Sequence, residues 1–172
     1  AMTYAQMLDV KFAYSSNGEG FAEHDFLTGK ERTFAMDEFP TKEELIERYK
    51  SEANDGNGLN EQELAVIEQP FCTGQNIFPP RYYQRNAVNR TVGAIAKGQN
   101  RVLLVMATGT GKTYTAFQIV WRLLKSGLKK KVLYLADRNI LVDQSIQQDF
   151  KPLEKVTHKI DYSKDKNHLE EL

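Results

Sequence analysis

Cysteine is nearly missing from this chain. Cys72 stands alone among 172 residues, which excludes an internal disulfide framework and a thiolate zinc site. Histidine is almost as sparse: His24, His158 and His168 are scattered, and ordinary surface histidines account for them. No apolar run is long enough to span a bilayer, and Ala1-Met2-Thr3 opens no signal-peptide pattern, so a cytoplasmic protein is expected. Net charge is also absent, at +0, but the balance hides a division. Acids crowd the stretch from Asp37 to Glu68, and between Glu68 and Asp137 there is none. That acid-free stretch carries Arg81, Arg85, Arg90, Lys97, Arg101, Lys112, Arg122, Lys125 and the run Lys129 to Lys131. Such a half is suited to polyanions, both nucleotide phosphates and a nucleic-acid backbone. Arg122 and Lys125, near a helix end, are expected only to solvate that helix.

What is present most clearly lies between Arg101 and Thr113. An apolar run, Val102 to Val105, gives way to Thr108-Gly109-Thr110-Gly111, and Lys112-Thr113 open a helical pattern. Strand, glycine loop and helix in that order form a phosphate-binding loop. The glycines let backbone N–H groups approach an anion, and the helix start adds its own unsatisfied N–H groups and positive dipole end. Lys112 is then expected to reach the β- and γ-phosphates, and the Thr113 hydroxyl to ligate Mg²⁺ alongside the nucleotide. The general pattern asks for glycine where this chain has Met106, which points to a subclass.

The remaining sequence divides into three segments. From residue 1 to about 40, a short helix near Thr3–Leu8 precedes three strands, near Lys11–Tyr14, Gly20–Phe26 and Thr33–Met36, a small antiparallel meander. Residues 41–78 form an acidic helical linker. Thr41 with Glu44, and Asn60 with Glu63, each make a capping box, so helices should run from Thr41 to about Glu52 and from Asn60 to Pro70. Gln69 to Pro80 holds three of the five prolines and is expected to act as a hinge. Asp55 to Gly58 imitates the middle of a calcium loop, but that register puts Ala53 and Leu64 at the two essential carboxylate positions. Residues 79–172 begin with a helix from about Arg81 to Lys97, with a buried stripe of Ala87, Val88, Val92 and Ile95. The loop helix runs from about Lys112 to Ser126, with Phe117 and Trp121 in the core, and Lys131 to Ala136 reads as a second buried strand. Two strands joined by a crossover helix make a βαβ unit and hence a parallel sheet.

These motifs carry a family resemblance. Arg81-Tyr82-Tyr83-Gln84, about 25 residues before Gly109, then Met106 to Thr113, then Leu135-Ala-Asp-Arg138-Asn-Ile-Leu141, resemble superfamily 2 helicases and translocases. The upstream set, Phe12 to Gly18, Glu23-His-Asp25, Thr28-Gly29 and Phe39-Pro40, is similar to the join between nuclease and motor in the R subunit of type I restriction enzymes. The resemblance implies an α/β fold: a RecA-like P-loop domain with a parallel sheet, incomplete here, preceded by the α+β tail of a nuclease domain and the helical linker. It implies an ATP-dependent DNA translocase and site-specific endonuclease subunit that uses ATP and Mg²⁺. Its partners would be double-stranded DNA and the modification and specificity subunits.

Residue by residue, the resemblance assigns Gln84 to the adenine edge, and Arg81 and Tyr82 to packing near the base. It gives Thr108, Gly109, Thr110, Gly111, Lys112 and Thr113 to the phosphate cradle, and Arg138 to one DNA strand. The family's acidic Mg²⁺ box, arginine finger and second motor lobe would follow Leu172, and its nuclease carboxylates and lysine would precede Ala1. Glu23 and Asp25 lack the lysine a nuclease site needs on the same strand and are expected to be surface or turn acids. The chain therefore reads as a piece of a larger machine. A rival reading is a nucleotide-responsive module that binds DNA or a subunit without turnover.

Overall fold

A computed structural model describes residues 2–74, 77–137 and 139–160. Helix α1 (Met2–Leu8) leads into strands β1 (Phe12–Ser16), β2 (Gly20–Asp25) and β3 (Glu31–Ala35). They form an antiparallel sheet in the order β1-β2-β3, in which Tyr14 faces Glu23 and Phe21 faces Phe34. The third strand begins two residues before its expected start, because the β2–β3 turn closes at Gly29 and pairs His24 with Glu31. Tyr14, Phe21 and Phe34 share one sheet face, and Phe39 packs on it with ring centroids 4.7 Å from Tyr14 and 4.8 Å from Phe21. That aromatic cluster is the meander's own small core.

Both capping boxes form. Glu44 N–H donates to Thr41 Oγ1 at 3.2 Å and Glu44 Oε2 accepts from Thr41 N–H at 2.7 Å, starting α2 (Lys42–Gly56). Its regular part ends at Glu52: Ala53 turns extended, and Asn54 and Asp55 take left-handed φ values of 56°. The same reciprocal bonds at Asn60 and Glu63, 2.8 and 3.0 Å, start α3 (Glu61–Glu68). Glu63 is buried, and its carboxylate also accepts from Asn54 Nδ2, which fixes the α2–α3 turn.

Helices α4 (Tyr82–Ala96) and α5 (Lys112–Lys125) form the centre. Val88, Val92 and Ala96 of α4 meet Val66 of α3 and Leu123 of α5 in one apolar cluster. On the other flank of α5, Phe117 meets Cys72, Phe150 and Leu153, with Trp121, Val120 and Leu124 around them. Phe150 and Leu153 follow α6 (Asn139–Gln147), the latter in a 3-10 segment, Lys151–Val156. Phe117 and Trp121 thus occupy core positions. Among the described residues no helix is long and apolar enough to cross a membrane.

Three expectations are corrected. The first is the parallel sheet: neither 102–105 nor 131–136 is a strand among the described residues. Leu103, Val105, Leu133 and Leu135 are 84%, 88%, 64% and 79% exposed. A parallel strand takes hydrogen bonds from neighbours and cover from both faces, and no described strand lies beside either segment. Helix α5 is present; no parallel sheet is formed beside it among the described residues.

The second is the hinge. Gln118, fully buried on α5, donates from Nε2 to Cys72 O and accepts from Cys72 N–H, both at 2.9 Å. Tyr114 donates from its hydroxyl to Phe78 O at 2.8 Å. The segment is therefore strapped to α5 at two points. The third is Arg122, which is only 3% exposed. Its guanidinium donates to Asn89 Oδ1 at 2.6 Å and to Val66 O, and stacks on Phe71. It satisfies a last-turn carbonyl of α3 and ties α3, α4 and α5 together. With no carboxylate beside it among the described residues, burial lowers its pKa.

Candidate functional site

The glycine loop turns because two residues adopt a conformation open to glycine: Gly109 has φ +78° and Gly111 +82°. Gly111 is the N-cap of α5, so the helix begins with its free N–H groups facing the loop. The first turn of α5 holds no acid, and Arg122 and Lys125 sit in its last turn, an arrangement matched to an anion at the N-terminus. Thr110 Oγ1 donates to Ala107 O at 2.6 Å and braces the turn. Lys112 Nζ folds back over the loop, 3.2 Å from Ala107 O and 3.4 Å from Met106 O. An exposed ammonium held only by carbonyls keeps donor capacity for a phosphate.

Gln84 is the second anchor. It is 7% exposed and sits at N3 of α4, where its Oε1 accepts from Arg81 N–H at 2.9 Å. Its Nε2 donates to Thr110 O, also at 2.9 Å, so the amide spans from the start of α4 to the glycine turn. Contact is close: a Cβ on Gly111 would lie 2.5 Å from Gln84 Nε2. One N–H and one lone pair of the amide remain, a donor and an acceptor side by side.

A cavity of about 500 Å³ opens between these parts, with Arg81, Gln84, Gly109, Thr110 and Gly111 in its wall. The structure thus brings together five of the residues expected at a nucleotide site. Tyr82 is not in the wall; it is 54% exposed, and Tyr83 takes the place. Consecutive helical residues point about 100° apart, so only one of the pair can face the loop, and the Tyr83 hydroxyl lies 3.4 Å from Thr110 O. Thr108, Lys112 and Thr113 lie outside that wall, Thr108 in the loop before Gly109 and the other two in the first turn of α5. Arg138 lies outside the described residues. Phe78, Tyr114 and Asp149 also line the cavity, and sequence spacing gave no sign of them. The residues fit a nucleoside triphosphate. For Mg²⁺, Thr113 supplies one hydroxyl, so the ion fits only with phosphate and water completing its shell.

The other acids read from sequence behave differently from expectation. Glu23 and Asp25 are 2% and 3% exposed, not surface residues. Arg48 of α2 reaches Glu23 with both Nη atoms, at 2.9 and 3.1 Å, and Asp25 Oδ2 at 2.9 Å. Arg32 adds a bidentate pair to Glu23, 2.8 and 3.1 Å. Asp25 Oδ1 does serve the following turn, accepting from the N–H groups of Leu27 and Thr28. Burial alone would raise the Glu23 pKa, but the hydrogen bonds from Arg32 and Arg48 outweigh it and bring it to about 2. These carboxylates are neutralised by arginine and fasten the meander to the linker.

Comparison with known proteins now defines the class. The family described as "Type III restriction enzyme, res subunit" matches residues 77–171, the segment holding the Gln84 anchor and the glycine loop. An Escherichia coli protein, the type I restriction enzyme EcoAI endonuclease subunit, is 48% identical over 153 residues, 87% of this chain and 18% of that protein. The EcoKI endonuclease subunit of E. coli K12 is 34% identical over 151 residues, 82% of this chain and 12% of that one. A solved fragment of an HsdR subunit of a type I restriction enzyme from Vibrio vulnificus YJ016 superposes with a TM-score of 0.60 at 40% identity. It covers 73% of this chain and 22% of that one. The chain belongs to the endonuclease (HsdR) subunits of type I restriction enzymes, and it spans less than a quarter of the length of these relatives.

Proposed function

We propose that this chain carries the nucleotide-binding entrance of an ATP-driven DNA translocase that feeds a nuclease within a type I restriction–modification complex. Gln84 carries the reading: one buried amide contacts both the start of α4 and the glycine turn, in the wall of a cavity of nucleotide size. Gln84 selects adenine, with Arg81 and Tyr83 beside the base. The backbone from Thr108 to Gly111 and the start of α5 hold the phosphates. Lys112 swings from the loop carbonyls to the β- and γ-phosphates, where it neutralises charge that develops as the terminal phosphoryl group leaves. Thr113 would hold Mg²⁺ through its hydroxyl, and the ion would supply neutralising charge to the phosphates. Arg138 and the acid-free stretch grip duplex DNA through its backbone, since a motor must step along any sequence. Modification and specificity subunits supply target recognition.

In the whole subunit, Lys112→Ala should abolish ATPase activity, and Gln84→Ala should erode the preference for ATP over GTP with phosphate contacts retained. Arg138→Ala should lower DNA affinity and DNA-stimulated ATPase together, equally for unrelated duplexes, with affinity in the parent protein falling steeply with salt. Undiminished turnover in the Lys112 variant would remove the phosphate-loop reading. A changed sequence preference in the Arg138 variant would remove the backbone-contact reading.

A further inference from the structure

The nucleotide cavity has a wall that the motifs do not account for. Asp149, between α6 and the 3-10 segment, lines it together with the neutral side chains of Gln147 and Gln148. Its carboxyl is partly buried, and burial, with no compensating donor among the described residues, pushes its pKa above the usual range. The same wall also holds Ile77, Phe78 and Phe117, which lower the local polarity, and the exposed Lys151, whose ammonium forms no ion pair with Asp149 among the described residues. Asp149 acts electrostatically on Tyr114, but that hydroxyl already donates to Phe78 O and accepts from Gln118 Nε2. An acceptor-only group thus faces a cavity with no donor committed to it, and a partly desolvated carboxylate without a partner is costly.

Chemistry narrows what could satisfy it. Asp149 cannot serve the phosphates, which are anions and belong to the glycine turn. Adenosine triphosphate has few donors: the N6 amine and the 2′- and 3′-hydroxyls of the ribose. With the N6/N7 edge on Gln84, the ribose diol remains, and one carboxylate matches two adjacent hydroxyls. We infer that Asp149 recognises the ribose of a bound ribonucleoside triphosphate, accepting hydrogen bonds from its 2′- and 3′-hydroxyls. The inference rests on the nucleotide-site reading above and extends it to the sugar. It makes the site selective for ribonucleotides over deoxyribonucleotides.

Binding of ATP, 2′,3′-dideoxyATP and inorganic tripolyphosphate to the full-length subunit, measured by calorimetry, tests this. Dideoxy substitution should weaken binding to the parent protein about 10- to 100-fold, the range for hydrogen bonds to a charged group. Asp149→Ala should bring ATP down to the dideoxyATP level and leave dideoxyATP and tripolyphosphate affinities nearly unchanged. Asp149→Asn, isosteric and still holding one acceptor oxygen, should fall between. Equal affinity of the parent protein for ATP and dideoxyATP would overturn the inference. So would an equal loss of both ligands in the alanine and asparagine variants, which would assign Asp149 to the base or to folding. Lys112-dependent tripolyphosphate binding without sugar preference would sink the ribose role alone. Failure of ATP and tripolyphosphate alike to bind would overturn the nucleotide site and the ribose role with it.

Discussion

Replacing Arg48 with methionine should loosen the meander far more than a surface substitution would. Among the described residues Arg48 is the one side chain that engages both buried carboxylates, Glu23 and Asp25, from a different element. Its arm is 23% exposed, whereas Arg32 is 50% exposed and correspondingly screened by solvent. Methionine keeps most of the volume but removes the guanidinium from over Phe12 and strands the Asp25 charge, while Glu23 keeps only the more exposed Arg32. Removing one partner of a buried pair costs about 3 kcal/mol. The lowered Glu23 carboxyl sets an upper bound: a fall from 4.5 to about 2 corresponds to about 3 kcal/mol, shared among Arg32, Arg48 and Tyr14. Because the folded pKa is the lower one, the unfolded chain takes up the proton first as pH falls. The stabilisation is complete above about pH 4.5 and disappears toward pH 2.

Hydrogen exchange read by mass spectrometry at pH 7 should show β2 and β3 amides opening on the order of 100-fold more often in Arg48→Met, with α4 little affected. Adding Glu23→Gln and Asp25→Asn should restore part of the protection, since the stranded charges are then gone. Unchanged exchange in the single variant would refute the claim that the arginine link holds the meander.

Gln118→Leu should destabilise the chain by roughly 3 kcal/mol, because it orphans both backbone groups of Cys72 in the core; an unchanged denaturant midpoint would contradict the strap. Gly111→Ala should weaken nucleotide binding at least tenfold and lower the melting temperature. It forces a left-handed φ on alanine and drives a methyl group into the pinned Gln84 amide. Calorimetry that found parent-like affinity would show that the loop relaxes freely. The chain of 172 residues should self-associate in solution, since Leu103, Val105 and Leu135 stand exposed on unpaired segments. Light scattering should then fall when Leu103 and Val105 are changed to lysine, and a monodisperse parent would argue against exposed sheet segments.

Features that depend on neighbours in sequence were legible. Both capping boxes need a partner three residues away, and Gly111 declares its own conformation. Phe117 and Trp121 follow helical periodicity. Arg48 and Glu23 lie 25 residues apart, and Gln118 and Cys72 lie 46 apart. Nothing local marks Arg122 as a core residue rather than a helix-end solvator. The segments 102–105 and 131–136 have strand composition, yet strand identity requires a partner that composition cannot supply. At the site, the Gly109–Gly111 turn and Gln84 were readable as a motif. Tyr83 and Asp149 join it only through the path of the folded chain.

The two straps on α5 also specify where the chain has spare length. Cys72 and Phe78 are six residues apart, and extended they would reach roughly 20 Å. Their anchors, Gln118 and Tyr114, are one helical turn apart, about 6 Å along the axis. Between the anchors Thr73 and Gly74 are exposed, and the Ile77 N–H donates to Gly74 O at 3.1 Å, so the chain doubles back on itself there. An added residue there lengthens the loop without moving either anchor, whereas one inserted within α5 rotates Gln118 away from Tyr114's face. Thr73 is accordingly a position at which a fluorophore or a short peptide tag can be carried on the strap of α5 without disturbing either anchor.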